Sequence, residues 1–189
     1  AKMSEENVNV TPTLYIGKTL SELLEVDHQQ DSLLNYIGSG IQQTYQGRIE
    51  GAKRAKASGS KMREKMEEIS ARMIEPMQNA GVKLLAGSDC GAFNSYVYPG
   101  ESLHGELNAL SKAGLSNAQT IRTSIINGPE FLDLGNEYGS IASGKVADIL
   151  ILDKNPLENI DNLKKINTVI KSGRVYDRKS LDTMLENLR

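Results

Sequence analysis

The stretch "GVKLLAGSDCG" (Gly81–Gly91) decides the predicted fold. An apolar run from Val82 to Ala86 follows a glycine and leads into small residues and a carboxylate, Asp89. A continuous apolar run after a glycine turn is typical of a strand buried on both faces of a parallel sheet. A charge at the end of such a strand is costly unless it is hydrogen-bonded, paired or bound to a metal. Asp89 is therefore either a turn-forming residue or a residue that does chemistry.

The segments around this strand predict helices. Before the strand, apolar residues recur at steps of three and four, which is the spacing of one helix face. After it, helices are predicted from about Leu103 to Ala113 and from Ser116, which can cap a first turn, to about Gly128. Helix, strand and helix in this order indicate an α/β protein. We expect the apolar face of the first helix to fill the core; its residues are Met62, Met66, Ile69, Met73, Ile74 and Met77.

The amino-terminal part predicts one strand and a long polar segment. "NVNVTPTL" (residues 7–14) alternates before a proline, so a short strand is expected to end at that proline. "TLSELLEV" (residues 19–26) predicts a short amphipathic helix with Ser21 and Glu22 in its first turn. Five glycines then interrupt residues 38–59. This pattern predicts a mobile excursion, a lid or an exchanged arm rather than core.

The carboxyl-terminal part predicts a small β-rich unit. A strand is expected from about Ala147 to Leu152, and two alternating runs around Ser172-Gly173 predict a hairpin. The last residues predict a short amphipathic helix. The chain thus divides into residues 1–135, which are α/β with a helical or flexible excursion at about 18–60, residues 136–178, which are β, and a helix over residues 179–189.

Composition excludes several classes of protein. The 189 residues carry a net charge of −2, so no broad attraction to nucleic acid or to an anionic membrane is expected. A single cysteine, Cys90, rules out an internal disulfide framework and a cysteine-based metal site. No run approaches the ~20 apolar residues of a membrane span, and the first residues lack a signal-peptide pattern. These features favour the cytoplasm.

Three other features do not indicate a catalytic or nucleic-acid-binding role. Cys90 has no histidine beside it in sequence to act as a base, so a thiol nucleophile is not indicated. The basic run over residues 48–65 lacks interleaved aromatic residues, so we interpret it as a solvated helix and linker rather than a nucleic-acid surface. Asp148, next to a predicted strand, is interpreted as a structural turn carboxylate.

Five segments resemble, in order, the carboxyl-terminal portion of the amidohydrolase superfamily, most nearly its imidazolonepropionase-like and Xaa-Pro dipeptidase-like branches. The most specific of them is the Gly-Lys-x-Ala-Asp segment, which follows a strand that ends in Gly-Ser-Asp. The matching segments are "NVNVTPTL" (7–14), "AGVKLLAGSD" (80–89), "SLHGELNALSKAGLSNAQTIRTSIINGPEFL" (102–132), "GSIASGKVADILILDKNPLENI" (139–160) and "INTVIKSGRVYD" (166–177).

The resemblance implies a metal-dependent hydrolase on a (β/α)₈ barrel with a small β-sandwich. The fold expected for this chain is a C-terminal fragment of such a barrel, with about the last two strands and their helices, plus strands of the sandwich. Chemistry in these barrels sits at the carboxyl ends of the strands. The resemblance places Asp89 there, as the carboxylate that contacts a divalent metal, expected to be zinc, and takes the proton of the attacking water.

The departures from the family pattern concern the metal ligands. The family's other histidine ligands and its fourth-strand lysine have no match here, and the chain has two histidines, His28 and His104. A catalytic zinc usually needs three protein ligands, so we expect this chain alone to bind no metal and to be inactive. His104 matches the histidine of a His-x-Glu-Leu helix and is a candidate substrate-contacting or supporting residue, with a locally bonded helix residue as the alternative. His28 is expected to lie on the surface.

The expected function of the parent protein is hydrolysis of a C–N bond in a small-molecule amide, dipeptide or cyclic amide by a metal-activated water. The alternative is a truncated or degenerate domain that persists as a dimerising interaction module. Two parallel strands leave unpaired N–H and C=O groups along their edges. A homodimer or a strand-exchanged oligomer is therefore expected for this chain.

Overall fold

The structure is a computed structural model that describes residues 2–91 and 94–188. It contains short 3₁₀ turns at His28–Gln30, Ser32–Tyr36 and Ile160–Lys164. The helices and strands of the described residues are α1 (Lys2–Glu5), β1 (Asn9–Val10), α2 (Leu14–Ser21), α3 (Ser39–Ala57), α4 (Met62–Asn79), β2 (Lys83–Leu84), α5 (Glu101–Lys112), α6 (Asn117–Ile125), α7 (Asn127–Phe131), β3 (Ile149–Leu152), β4 (Ile166–Lys171), β5 (Arg174–Tyr176) and α8 (Arg178–Glu186). None of these helices is both long enough and apolar enough to cross a membrane.

The strands form two separate sheets. β1 and β2 are parallel, with Val10 opposite Leu84, and the Leu85 N–H donates to the Val10 carbonyl at 2.8 Å. β3, β4 and β5 form an antiparallel sheet in the order of the chain. Ser172 and Gly173 join β4 to β5 with φ of 50° and 79°, the positive values that a two-residue hairpin turn requires. The predicted α/β class and the hairpin are confirmed.

The main core lies between the parallel pair and helices α2, α4 and α5. Two elements that are distant in sequence meet in it, because α2 follows β1 directly and α4 leads into β2. Burial of these side chains supplies the favourable free energy that holds the parallel pair together. The buried members of the core are Leu14, Ile74, Val82, Leu84, Leu110 and Leu115.

The methionine face of α4 is not the face that enters the core. Ile74 is fully buried and Met77 is half-buried, but the other apolar residues are between 46% and 69% exposed. The prediction that they fill the core is wrong, because α4 buries the adjacent face of the helix instead. Periodicity identifies an apolar face but not what covers it. We call these exposed residues the methionine stripe: Met62, Met66, Ile69 and Met73.

The glycine-containing segment is more ordered than its sequence suggests. α3 is one continuous helix, although each internal glycine costs about 1 kcal/mol relative to alanine. Tyr45 on α3 is buried in a second, smaller core, where α3 packs against the loop that follows Asp89. The segment is therefore packed on the rest of the chain and does not form a separate arm. The buried members of this second core are Leu23, Tyr45, Tyr96 and Tyr98.

The helix predicted at residues 19–26 is displaced towards the amino terminus. α2 begins at Leu14 and ends at Ser21, so Ser21 and Glu22 stand at its end and not in its first turn. α2 begins earlier than predicted because it buries Leu14 and Ile16 against the core. The two helices after β2 lie close to their predicted bounds.

The start of α6 follows the predicted cap. The Ser116 side chain accepts a hydrogen bond from the Gln119 N–H, and the Gln119 side chain accepts one from the Ser116 N–H at 2.9 Å. This reciprocal pair is a capping box and satisfies two amides at the helix start. Gly114, with φ of 109°, makes the turn between α5 and α6.

One edge of the parallel pair is closed by helix residues. The Leu84 carbonyl accepts a hydrogen bond from Asn127 Nδ2 at 2.8 Å, and the Ala86 N–H donates to the Thr123 carbonyl at 3.2 Å. These groups of β2 point away from β1. The expectation that both edges of the pair are unpaired is therefore corrected for β2, because the junction of α6 and α7 supplies the partners that a strand would supply.

Two isoleucines on α4 test which face supports the fold. Replacing Ile74 with alanine removes a fully buried side chain, and we expect a loss of about 2–5 kcal/mol in the free energy of unfolding. Replacing Ile69, which is 46% exposed, with alanine is expected to change the free energy of unfolding by less than about 0.5 kcal/mol. Urea denaturation of both variants measures the difference. Equal losses would show that the methionine stripe is part of the core.

Candidate active site at the ends of the parallel strands

Asp89 lies in an exposed irregular segment, five residues after β2 ends at Leu84. Its φ is 52°, in the left-handed region, and its backbone carbonyl accepts a hydrogen bond from Asn94 Nδ2 at 2.6 Å. Its side chain is exposed, so the carboxylate bears no burial cost in this chain. Asparagine and aspartate tolerate left-handed backbone better than most residues. Asp89 therefore forms the turn and also presents a carboxylate to solvent.

The ends of β1 and β2 touch just before Asp89. A Cβ atom on Gly87 would lie 2.6 Å from Thr11 Cγ2, closer than any real contact of this kind. Any side chain at position 87 would therefore require the Thr11 side chain to move, so glycine suits the close approach of the two segments. This contact brings the two strand ends to one place, which is the edge where chemistry is expected in parallel sheets.

A buried hydrogen bond ties this edge to α5. Ser88 Oγ and Ser102 Oγ are 2.7 Å apart, and both side chains are buried. Ser88 is the residue before Asp89, and Ser102 lies in the first turn of α5. The bond therefore fixes the backbone next to Asp89 against a helix of the main core. The sequence offered no signal for this pairing, since serine is common at both kinds of position.

His104 lies one turn into α5 and is half-buried. Burial lowers the pKa of its imidazole below the ordinary value of 6.5, the nearby Glu101 carboxylate opposes this, and the Lys164 ammonium adds to it. The neutral imidazole is therefore favoured in the folded chain. Its Nδ1 atom is buried and has no hydrogen-bond partner among the residues that the structure describes. Within the same residues, no hydrogen bond or ion pair joins His104 to Asp89.

Glu106 was not singled out by the sequence, yet it is the most buried charged group near the site. It is 0% exposed, and its Oε2 accepts a hydrogen bond from the Tyr15 N–H at 2.7 Å. Burial raises the pKa of the Glu106 carboxyl, and backbone N–H groups of Tyr15, Leu14 and Thr13 oppose that rise. The helix pattern of α5 could not reveal this role, because the partner is backbone 91 residues earlier in the chain.

His28 does not lie free on the surface as predicted. Its ring stacks on Tyr96, with ring centroids 3.7 Å apart and an angle of 14° between the planes. Tyr98 Oη donates to Asp31 Oδ2 at 2.6 Å, and burial together with this carboxylate raises the pKa of Tyr98. These contacts join the residues before α3 to the loop after Asp89. His28 is therefore a packing residue of the second core.

The described residues do not by themselves form a metal site. Among residues 2–91 and 94–188, no group of three or more His, Cys, Asp or Glu side chains could hold a metal ion. Asp89 can offer one carboxylate, and Cys90, beside it, is exposed. A catalytic zinc usually requires three protein ligands.

The Gly-Lys-x-Ala-Asp segment is structural. Lys145 Nζ donates to the carbonyls of Gly135 and Tyr138 at 2.6 and 2.8 Å. Asp148 pairs with Lys171 and accepts a hydrogen bond from the Ser172 N–H at 2.7 Å. The ion pair and this hydrogen bond lower the pKa of Asp148. Asp148 therefore braces the β4–β5 hairpin, in agreement with its interpretation as a turn carboxylate.

The fold is an α/β fold similar to that of amidohydrolases built on a TIM barrel. A family model described as "Amidohydrolase family" matches residues 46–176. This match covers more than half of the chain, and the chain belongs to the amidohydrolase family. No curated protein matches the sequence.

Solved structures share the fold at low sequence identity. A bottromycin amidohydrolase matches with a TM-score of 0.76 and 19% identity over 96% of this chain and 39% of its own. An Xaa-Pro dipeptidase with bound methionine in its active site matches with a TM-score of 0.66 and 20% identity over 93% of this chain and 36% of its own. A prolidase complexed with N-methylphosphonate-L-proline matches with a TM-score of 0.62 and 23% identity over 94% and 36%. The chain thus spans between 36% and 39% of the length of these structures.

Substitutions at Asp89 separate its backbone role from its carboxylate. Asp89→Asn keeps a residue type that tolerates left-handed backbone, and we expect the free energy of unfolding to change by less than about 0.5 kcal/mol. Asp89→Ala places a less tolerant residue at φ of 52° and should cost about 1 kcal/mol. Urea denaturation measures both. A large loss in Asp89→Asn would mean that the charge itself holds the turn.

Proposed function

We propose that the chain is the carboxyl-terminal part of a metal-dependent amidohydrolase that hydrolyses a C–N bond with a metal-activated water. The observation that carries this proposal is the position of Asp89, an exposed carboxylate at the joined ends of two parallel strands in a chain of the amidohydrolase family. Residues 1–135 would then belong to a (β/α)₈ barrel, residues 136–178 would supply strands of a small β-sandwich, and residues 179–189 would add a helix.

Asp89 is the proposed metal- and water-facing carboxylate. Within the described residues its carboxylate oxygens make no hydrogen bond or ion pair, so they are available to a ligand. Its backbone is held on both sides, by Asn94 at its carbonyl and by Ser88 through Ser102. A carboxylate that is free at its oxygens and fixed at its backbone suits a role in binding a metal or handling a proton.

His104 is the second proposed site residue, as a substrate-contacting or supporting group. Its unpartnered Nδ1 and the lowered pKa of its imidazole support a neutral ring that can donate or accept a hydrogen bond. Glu101 and Lys164, the charged groups nearest to it, pair with each other. Neither of these charges is therefore committed to an ion pair with the ring.

In this proposal a divalent metal, with zinc as the proposed ion, is bound by the full-length enzyme. The described residues do not hold three candidate ligands together, so Asp89 would contribute one ligand to a set completed outside these 189 residues. The chain by itself is proposed to bind no metal and to be inactive. We therefore assign no reaction step to this chain alone.

The proposed substrate is a small molecule with an amide, dipeptide or cyclic amide bond. Support comes from structures that share the fold, which include an Xaa-Pro dipeptidase and a prolidase complexed with a phosphonate analogue that contains proline. The absence of a strong net charge in the chain is consistent with a small substrate rather than a polyanion.

The purified chain tests the catalytic proposal. We expect no turnover of a panel of dipeptides and cyclic amides with added zinc or manganese, and less than about 0.1 equivalent of tightly bound zinc by elemental analysis, because too few ligands are present. The stability-neutral variant Asp89→Asn is the control. Clear turnover by the chain that Asp89→Asn abolishes would contradict the proposed inactivity.

The alternative proposal is a non-catalytic module that dimerises. The methionine stripe supports it, since a row of exposed apolar side chains along one helix suits a contact with another surface. The outer edge of β1 offers a second surface, where a strand of another copy could pair. Basic and acidic residues alternate beside the stripe, including Arg63 and Glu64, and Arg72 pairs with Glu68. Charge therefore does not decide between the two surfaces.

Sedimentation of matched variants tests the alternative. If the stripe mediates association, Met66→Lys should convert a dimer into a monomer, because a buried charge is costly. Met184→Lys places the same change on an exposed methionine of α8 and should leave the dimer intact. A dimer that survives Met66→Lys would place the contact elsewhere, and a monomeric wild-type chain at high concentration would contradict the module.

A further inference from the structure

We propose that Ser102 and Glu106 of α5 form a clamp that holds the ends of β1 and β2 together, with Glu106 as a positioning residue for Asp89. The inference rests on the proposed function only in treating this edge as an active site. The contacts that define the clamp are independent of any substrate or metal. These contacts also explain why Glu106 is buried on α5, where an unpaired charge would be costly.

Both clamp residues project from the same face of α5. They are four residues apart, which places them one turn apart on one side of the helix. Ser102 is 1% exposed and Glu106 is 0% exposed. Each bonds to a different strand end: Ser102 reaches Ser88 after β2, and Glu106 reaches the first turn of α2 after β1.

The Glu106 arm replaces a missing helix cap. The first amides of an α-helix have no partner within the helix. Thr13, the residue before α2, has φ of 51° and makes no side-chain cap hydrogen bond within the described chain. The Glu106 carboxylate accepts one of these amides instead, the Tyr15 N–H, at 2.7 Å. A negative carboxylate at a helix start is also favoured by the helix dipole.

The approach of α2 to α5 makes this arm possible. A Cβ atom on Gly105 would lie 2.3 Å from the Tyr15 ring, so the ring lies directly on the backbone of α5. Glycine at position 105 therefore lets the two helices come close enough for Glu106 to reach the backbone of Tyr15. Two adjacent residues of the His-x-Glu-Leu segment thus serve the same contact. Gly105 leaves room for the Tyr15 ring, and Glu106 caps the start of α2.

The two arms converge on the contact between the strand ends. Glu106 binds the Tyr15 N–H, four residues after Thr11, while Ser102 binds Ser88, the residue after Gly87. Thr11 and Gly87 are the residues that touch. Both hydrogen bonds of the clamp therefore come from α5 and hold the two strand ends in contact. Asp89 is the residue that follows Ser88.

Hydrogen exchange of the 189-residue chain tests the clamp. In the wild-type chain, the Tyr15 amide should exchange slowly although it lies in the first turn of a helix. Glu106→Met keeps the length of the side chain but removes the acceptor, and should reduce the protection of the Tyr15 amide roughly 10- to 100-fold. Glu106→Gln keeps an acceptor oxygen and should retain most of the protection.

The control variants separate positioning from general stability. Glu101→Met makes the same chemical change at a half-buried position of α5 and should leave the Tyr15 amide unchanged. A positioning role also predicts that Glu106→Met shifts the Asp89 and Ser88 amide resonances, while amides of the β4–β5 hairpin keep their exchange rates. Glu106→Met together with Ser102→Ala should shift the Asp89 resonance by more than the sum of the single variants, because each arm still holds when the other is lost.

Several results would overturn the clamp. They are an unchanged Tyr15 amide in Glu106→Met, an equal rise of exchange throughout the chain, or an Asp89 resonance that does not respond. If Glu106→Met does not fold, the exchange rate of the Tyr15 amide in the wild-type chain becomes the test. Fast exchange of this amide would exclude the hydrogen bond to Glu106. No substrate or metal is used, so a chain without hydrolytic function would still give a readable result, and failure of the clamp would leave the proposal for Asp89 intact.

Discussion

The parallel pairing of β1 with β2 is the constraint on which the rest of this chain depends. It joins residues that are more than 70 positions apart, Val10 beside Leu84, and so brings α2, α4 and α5 around one core. A pair of two-residue strands cannot stand alone in water. Here it is supported on one side by helices and on its β2 edge by hydrogen bonds from Thr123 and Asn127. The same pairing delivers both strand ends to one place, where Thr11 meets Gly87 and Asp89 follows.

Asp89, the carboxylate expected at the end of a buried strand, is not the buried charge of this region. Asp89 is exposed on a left-handed turn, so its carboxylate has solvent and is available to a ligand. The burial cost falls on Glu106, which is fully enclosed and offsets the cost with backbone N–H groups at the start of α2. The two carboxylates thus differ in environment: Asp89 is exposed and Glu106 is enclosed.

Local patterns were reliable where the determinants are local. The capping box at Ser116, the glycine turn of the hairpin and the extents of α5 and α6 depend on neighbouring residues, and they were predicted from them. Predictions failed where a distant surface decides the outcome. The methionine stripe has the spacing of a buried face but is exposed, α3 is continuous through its glycines because Tyr45 is buried, and His28 stacks on a tyrosine 68 positions later in the chain.

The sequence by itself determined the α/β class, the family motifs and the placement of Asp89 after an apolar strand, because composition, periodicity and turn residues act over a few neighbouring positions. Only the tertiary structure decided which helix face is buried, how the β2 edge is closed and which residues hold the strand ends. Those outcomes depend on hydrogen bonds and packing between segments far apart in the chain, such as Glu106 with the Tyr15 amide 91 residues away. No periodicity encodes such a contact, since it exists only once the core has brought the two backbones together.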